Sequence, residues 1–236
     1  MPPKPDPGRG TATPNPEPIP PTLERERALW DGGLSAVVGV DEVGVGPVCG
    51  PVVAAAVLLP PYCELIADVR DSKLLTPAQR RALDGQVRAQ ALAVGLGAAS
   101  VDEIERLNVL NAAHLAMRRA LTRIGRYDHA LIDGRPIKGL DLGPHTAIVD
   151  GDATCYSIAC ASIVAKVARD RLMEKLAGRY PGYGWEHNAG YGSSEHLAAL
   201  RRLGVTPYHR KSYQPVRVAL GLPSEKPKRR RERSAA

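Results

Sequence analysis

A pair of adjacent carboxylates set between two apolar runs constrains this chain more than any other feature. The run Ala36–Val40 leads into Asp41 and Glu42, and a second run, rich in Val and Ala, extends over Val52–Leu59. Both runs are short and are bounded by Gly or Pro, which is typical of buried strands. The segment between them contains three glycines, at positions 44, 46 and 50. Glycines in such a turn let the backbone and its amide groups come close to a ligand.

The two carboxylates cannot both be buried without partners. Adjacent residues of a strand point to opposite faces of the sheet, and a bare carboxylate in an apolar core is very costly. A divalent cation at the end of the strand would compensate Asp41 and Glu42. The alternative interpretation is a polar hairpin turn whose acids face water, and this segment alone does not decide between the two.

Length and composition indicate a protein with a substantial core. The chain has 236 residues, of which 44% are hydrophobic, enough for one large domain or two small ones. It contains no run of 18 apolar residues, so we expect no membrane-spanning helix, and its first residues lack the apolar stretch of a secretory signal. The four cysteines have no C-x-x-C spacing, which predicts free thiols and a cytoplasmic location.

Prolines and charges mark the two ends of the chain as tails. Residues 1 to about 22 are rich in proline, as in a disordered or polyproline-like segment. Residues 224–236 carry six Lys and Arg side chains against two Glu, a net +4 of the formal +7 of the chain. Such a tail suits a polyanion such as nucleic acid, and a solubilising tail is an equal alternative. We predict a disordered tail over 1–28, one α/β domain over 29–220 and a basic disordered tail over 221–236.

Two capping boxes fix the starts of helices within the domain. Thr76 with Gln79, and Pro77 at the first helical position, predicts a helix to about residue 91. Ser100 with Glu103 predicts a long helix to about residue 124, whose apolar face would carry Ile104, Leu107, Leu110, Ala113 (or His114) and Met117. Periodicity elsewhere predicts a short helix over 23–30, strands over 93–98, 129–133 and 146–149, a buried helix over 157–173, and a helix over 195–202 capped by Ser193 or Ser194.

Two further acids lie where later strands end. Asp133 closes one predicted strand and Asp152 follows the next. Carboxylates that converge from strand ends are hard oxygen ligands suited to Mg²⁺ or Mn²⁺, and two such ions can activate a water and stabilise the leaving oxygen in phosphodiester hydrolysis. The sequence has neither a competing Cys or His pair nor a G-x-x-x-x-G-K-[ST] phosphate loop. Asp-Gly is also a common turn, so unrelated turn acids are an equal alternative on the pattern alone.

Four blocks of sequence follow one another along the domain. They are Gly39-Val40-Asp41-Glu42 with Gly44-x-Gly46-Pro47 and Gly50-Pro51-Val52-Val53-Ala54-Ala55-Ala56; Asp71-Ser72-Lys73-x-Leu75-Thr76; Asp133-Gly134 with Gly151-Asp152 and Ser157-Ile158-Ala159-x-Ala161-Ser162-Ile163-x-Ala165-Lys166-Val167-x-Arg169-Asp170; and Gly190-Tyr191-Gly192-Ser193-x-x-His196 with His209-Arg210-x-Ser212. Each block alone is weak to moderate, but together they are highly specific. Over residues 36 to 214 the chain resembles ribonuclease HII, the bacterial enzyme that nicks DNA at embedded ribonucleotides.

The resemblance implies an α/β, RNase H-like fold: a mixed five-stranded sheet flanked by helices, with a helical C-terminal extension. It implies that Asp41, Glu42, Asp133 and Asp152 bind two Mg²⁺ or Mn²⁺ ions, with Asp150 a close competitor for the last place. It also implies a monomeric endonuclease without membrane contacts that cuts on the 5′ side of ribonucleotides, in RNA–DNA hybrids or in duplex DNA. The products would carry a 3′-hydroxyl and a 5′-phosphate, and the role would be ribonucleotide or RNA-primer removal in DNA replication and repair.

The same resemblance implies the nucleic-acid contacts. Tyr191 would stack on the deoxyribose that follows the ribonucleotide, and the backbone of Gly44, Val45 and Gly46 would read the 2′-hydroxyl. The expected phosphate contacts are Lys73, Lys166 and Arg210, and the alternative for each is a surface salt bridge.

The chain departs from the family pattern at places that bear on selectivity. Val45 lies where the family usually has Arg or Lys between two glycines, and Leu74 where it often has a second lysine; Ser193 and Tyr213 replace a Thr and a Phe. One alternative is therefore a duplex-binding protein with a degraded active site, although all four acids are retained. Another is the sister enzyme ribonuclease HIII, which carries an extra folded N-terminal domain where this chain has a Pro-rich segment.

Because Val45 brings no charge, we predict weaker duplex binding, or poorer selectivity for single ribonucleotides, than a Gly-Arg-Gly loop would give. A single charged contact is worth about 1–3 kcal/mol, so Val45→Arg should improve one or both properties. The measurement compares binding and cleavage of a duplex with one ribonucleotide against an all-RNA hybrid. A Val45→Arg protein that gains neither would contradict the prediction.

Overall fold

The structure, a computed structural model, describes residues 19–136 and 142–223. Its strands are β1 Val37–Val43, β2 Val52–Leu58, β3 Ala93–Ala99, β4 His129–Asp133 and β5 His145–Ile148. They form one five-stranded sheet in the order β3-β2-β1-β4-β5. β2 is antiparallel to both β1 and β3, whereas β1, β4 and β5 run parallel. The predicted mixed five-stranded sheet is therefore confirmed.

The helices cover both faces of the sheet and continue beyond it at the C-terminal end. In chain order they are α1 Glu24–Asp31, α2 Pro77–Gln90, α3 Val101–Leu107, α4 Val109–Ile124, α5 Gly151–Thr154, α6 Tyr156–Arg179, α7 Trp185–Asn188, α8 Ser194–Leu203 and α9 Gln214–Ala219, with a 3₁₀ turn at Ser72–Leu74. Buried side chains of α6 and α2 form a core with one face of the sheet, and those of α4 form a core with the other. Helices α7 to α9 are the predicted helical extension.

Alternate residues of β1 contribute to the two cores. Val37 belongs to the core beneath α6, and Val38 and Val40 belong to the core beneath α4. Gly39 lies where α6 crosses the strand, and a Cβ at this position would be 2.2 Å from the backbone of Ser157. Only glycine permits so close an approach, which fixes the start of α6 against the middle of β1.

The predicted helix caps are confirmed. The side chains of Thr76 and Ser100 accept hydrogen bonds from the amides of Gln79 and Glu103, whose side chains bond back to the cap backbones. At α8 the cap is Ser193, which accepts a hydrogen bond from the amide of His196. These local bonds satisfy amides that would otherwise lack partners at the helix starts.

The prediction of one helix from residue 100 to 124 is wrong, because the chain breaks at Asn108. This residue has φ = +67° and ψ = 164°, a strained backbone conformation that a helix cannot contain, and its side chain caps α4 through the amide of Asn111. The break changes the helical phase. Ile104 and Met117 are buried as predicted, whereas Leu110 is 62% exposed.

Helix α1 packs on the domain and caps α6. Glu26 is fully buried, and its Oε1 accepts hydrogen bonds from the Ser157 amide at 2.7 Å and from the Cys155 thiol at 3.1 Å. The Glu26 carboxylate lies at the N-terminal end of α6, where the positive end of the helix dipole favours a negative charge. The boundary predicted at residue 28 lies inside α1, so the packed structure begins at least as early as Leu23, which is buried.

Of the predicted tails, residues 1–18 and 224–236 lie outside the described residues. All four cysteines are free thiols. None of the helices within 19–136 and 142–223 combines the length and apolarity needed to cross a membrane.

Glu26→Ala should destabilise the fold, because it leaves the Ser157 amide buried without its acceptor. The expected loss in the free energy of unfolding is about 1–3 kcal/mol, measured by denaturant titration. The matched control is Glu24→Ala, since Glu24 is exposed on the same helix and should change stability by less than about 0.5 kcal/mol. Equal effects of the two changes would contradict the proposed cap.

Candidate active site

Three carboxylates meet where β1 and β4 end. Asp41, Glu42 and Asp133 each offer one oxygen, and the three oxygens lie within 4.8 Å of one another. The parallel register pairs Val40 with Ile132, so the next residues along, Asp41 and Asp133, are neighbours across the sheet. The sequence predicted this convergence, and the strand pairing provides it.

Asp152 approaches the same cluster from the first turn of α5. It is buried, and the preceding Gly151 donates its amide to Asp133 Oδ1 at 2.8 Å. A side chain at Gly151 would crowd this contact, since its Cβ would be 3.2 Å from the same oxygen. Asp150 is exposed in the left-handed region, so Asp152 is the better placed of the two candidates. Its Oδ2 pairs with the Lys73 ammonium at 2.8 Å.

Burial and mutual repulsion raise the pKa of each acid in the three-carboxylate cluster. Burial raises the pKa of Asp41 well above its usual range, and Glu42 and Asp133 add to the shift; a hydrogen bond from Ser162 opposes it. Burial, and then Asp133, raise the pKa of Glu42 to about 7. Burial, and then Asp152, raise the pKa of Asp133. The fold thus holds like charges together at an energetic cost that a divalent cation would relieve.

The glycine loop, residues 44–50, follows β1 directly. Gly44 has φ = +98°, and a Cβ there would be 2.3 Å from Arg169 Nε, so the position requires glycine. Gly46 is exposed, and a Cβ there would lie 3.6 Å from the Tyr191 ring. Val45 is half-buried and packs partly against the core beneath α4. The structure therefore brings together the loop and the tyrosine that the sequence predicted for nucleic-acid contact.

The three predicted phosphate contacts have different surroundings. The Lys73 side chain is 76% exposed while it bridges to Asp152. Lys166 is mostly buried and pairs with Asp170 at 2.7 Å, which is the salt-bridge alternative. Arg210 is fully buried and contacts the carbonyls of the glycine loop. The expectation that Arg210 contacts phosphate is therefore corrected, because its donors are used inside the protein.

Sequence reasoning did not assign a role to two buried groups beside the loop. Arg169 is fully buried and donates to backbone carbonyls; its place in the third sequence block was the available signal. His196 is also fully buried, accepts from Trp185 Nε1 at 2.9 Å and contacts the Tyr191 carbonyl through Nδ1 at 2.8 Å. Its place in the fourth sequence block pointed to importance without indicating this contact.

Comparisons of the sequence and of the structure with known proteins agree on one group of enzymes. The family model described as Ribonuclease HII matches residues 38–216. A ribonuclease HII from Thermosynechococcus vestitus is 56% identical over 194 residues, which is 82% of this chain and 91% of that protein. Ribonuclease H2 from Pyrococcus horikoshii has a similar structure, with a TM-score of 0.61 and 26% identity over 78% of this chain and 96% of that one. Bst-RNase HIII, solved in complex with Mn²⁺, shares the fold at 17% identity, with a TM-score of 0.63 over 83% of this chain and 73% of that one.

The raised pKa values predict that the metal-free protein loses stability as pH rises. An acid whose pKa is higher in the folded than in the unfolded state stabilises the fold below its unfolded pKa, and this contribution disappears as pH rises through the folded pKa. For Glu42 the window runs from 4.5 to about 7. In the presence of a chelator the melting temperature should therefore decrease as pH rises through this window. The Glu42→Gln protein should show a smaller decrease. Identical profiles for the two proteins would contradict the prediction.

Proposed function

The chain belongs to the ribonuclease HII family and is an endonuclease that acts on RNA–DNA hybrids, and from this premise we propose how its site works. We propose that it cuts on the 5′ side of ribonucleotides, both in hybrids and singly embedded in duplex DNA, and leaves a 3′-hydroxyl and a 5′-phosphate. The observation that carries the proposal is the convergence of Asp41, Glu42 and Asp133 within 4.8 Å. Removal of ribonucleotides or RNA primers, in the cytoplasm where bacterial DNA lies, is the corresponding role.

The donor set suits hard divalent cations such as Mg²⁺ or Mn²⁺. All four candidate ligands are carboxylates, which these ions prefer, and burial, with repulsion from neighbouring acids, raises the pKa values of Asp41, Glu42 and Asp133. Asp41, Glu42 and Asp133 would hold one ion, and Asp152 would complete a site for a second. Two bound ions would supply an activated water and neutralise the leaving oxygen.

The remaining groups orient the substrate. Lys73 reaches from solvent into the cluster, so its ammonium can neutralise a phosphate brought beside Asp152. The glycine loop and Tyr191 adjoin one another, and together they offer backbone donors and an exposed ring to a ribose and the sugar after it. Telling RNA from DNA requires contact with the 2′-hydroxyl, and this pair of elements is suited to provide it.

The direct test is to incubate the protein with a DNA duplex that carries one ribonucleotide and to map the cut. We expect cleavage only with a divalent cation, at the phosphodiester 5′ of the ribonucleotide. A cut at the 3′ side, or cleavage that continues in excess chelator, would contradict the proposal.

Asp133→Asn should abolish turnover while leaving duplex binding largely intact, because it removes a charge from the cation site without changing the shape of the side chain. We expect at least about a hundredfold loss in the cleavage rate, since a metal supplies several kcal/mol of transition-state stabilisation. The matched control is Asp150→Asn, which changes an exposed acid nearby and should cleave like the wild type. Turnover that persists in Asp133→Asn would show that the site is placed wrongly.

A further inference from the structure

Two arginines are buried beneath the glycine loop, and neither forms an ion pair with a carboxylate in the part of the chain that the structure describes. Arg169 lies on α6 and Arg210 lies between α8 and α9, and both side chains are fully buried. Within residues 19–136 and 142–223 their hydrogen-bond acceptors are backbone carbonyls and, for Arg210, the Tyr213 hydroxyl. A buried charge without a counter-ion is costly, so this arrangement calls for an explanation beyond packing.

Arg210 contacts the glycine loop at the two residues before the exposed Gly46 and at its last residue, Gly50. Its Nη1 donates to the Val45 carbonyl at 2.9 Å, and its Nη2 donates to the Gly44 carbonyl at 2.5 Å and to the Gly50 carbonyl at 2.8 Å. The Tyr213 hydroxyl also donates to the Val45 carbonyl, at 2.6 Å. The carbonyls of Gly44 and Val45 therefore both point inward, towards Arg210.

The direction of these carbonyls fixes the direction of two amides. The Gly44 carbonyl shares a peptide with the Val45 amide, and the Val45 carbonyl shares one with the Gly46 amide. In a planar trans peptide the C=O and N–H groups point in opposite directions, so both amides point away from Arg210. Neither amide has an acceptor in the part of the chain that the structure describes, and Gly46 is exposed beside Tyr191.

We propose that Arg210 is a positioning residue for ribonucleotide selection, a role that rests on the proposed function. It aims the amides of Val45 and Gly46 at an oxygen acceptor of the substrate, either the ribose 2′-oxygen or the adjacent phosphate. Hydrogen bonds from a cation to the two carbonyls also polarise the shared peptides, which makes their amides stronger donors. The charge of Arg210 thus strengthens the hydrogen bonds that the loop backbone donates to the substrate.

Arg169 provides a matched comparison within the same protein. It is equally buried and cationic, but it donates to three other carbonyls, those of Cys49, Pro51 and Ala189. None of these carbonyls shares a peptide with the Val45 or Gly46 amide. If amide direction sets selectivity, Arg210 and Arg169 should differ in their effect on it while both support the fold.

The test compares Arg210→Lys with Arg169→Lys in an Asp133→Asn background, where binding is measured without cleavage. Lysine keeps the charge but cannot bridge several carbonyls with a planar fork. The readout is the ratio of affinities for a duplex with one ribonucleotide and for an all-DNA duplex of the same sequence. We expect Arg210→Lys to lower this ratio about tenfold and Arg169→Lys to leave it within about twofold. A loss on both duplexes alike would identify phosphate, and not the ribose, as the acceptor and would overturn the role in selection.

Other results of these experiments would also overturn the role proposed for Arg210. A folded Arg210→Lys protein with an unchanged ratio, or equal losses for the two arginines, would overturn the proposal. If Arg210→Lys does not fold, Tyr213→Phe removes one donor to the Val45 carbonyl and keeps Arg210; it should lower the ratio about threefold and shift the ¹⁵N resonances of Val45 and Gly46. No change in either would overturn the proposal. Absence of cleavage by the unmodified protein would instead contradict the proposed function, and the inference with it.

Discussion

Repulsion among carboxylates at the end of the central strands is the constraint on which the rest of the structure depends. The parallel pairing of β1 and β4 leaves no freedom to separate Asp41 from Asp133, and Glu42 follows immediately. The protein reduces the cost by local means: the Gly151 amide bonds to Asp133 and the Lys73 ammonium pairs with Asp152. Burial, and then the neighbouring acids, still raise the pKa values of the three clustered acids, so this compensation is incomplete. The two apolar cores therefore supply the stability that holds an unfavourable cluster in place.

Two positive charges lie beside the glycine loop, a few residues after the negatively charged acids of β1. Arg169 and Arg210 are buried on its inner side, yet they do not pair with the acids of β1, because backbone carbonyls occupy their donors. A direct ion pair would neutralise both groups and leave nothing for a ligand. Because the arginines and the acids are kept apart, the acids can bind cations. The outward amides of the glycine loop can bind an anionic or hydroxyl oxygen. A nucleic acid with bound divalent cations is complementary to both at once.

The fold could be predicted from the sequence wherever a local signal decided the outcome. The capping boxes at Thr76 and Ser100 and the Val-rich strands are such signals, since short-range hydrogen bonds and alternation determine them. Asn108 was missed because a capping asparagine and a mid-helix asparagine look alike without the tertiary fold. Arg210 was misplaced for a related reason. An arginine next to a site is as compatible with a phosphate as with buried carbonyls, and only the depth of the side chain separates the two.

The substitution at position 45 shows why affinity and selectivity need not depend on the same atoms. A basic side chain in the loop would contact phosphate, which is present in every nucleic acid, so it would contribute mainly to affinity. Recognition of a ribose needs donors at a fixed place and angle, and here these are backbone amides whose direction is set by contacts to carbonyls. Those contacts do not involve the Val45 side chain, which packs partly against the core. The chain can therefore lack the usual base and still retain the geometry from which discrimination between RNA and DNA arises.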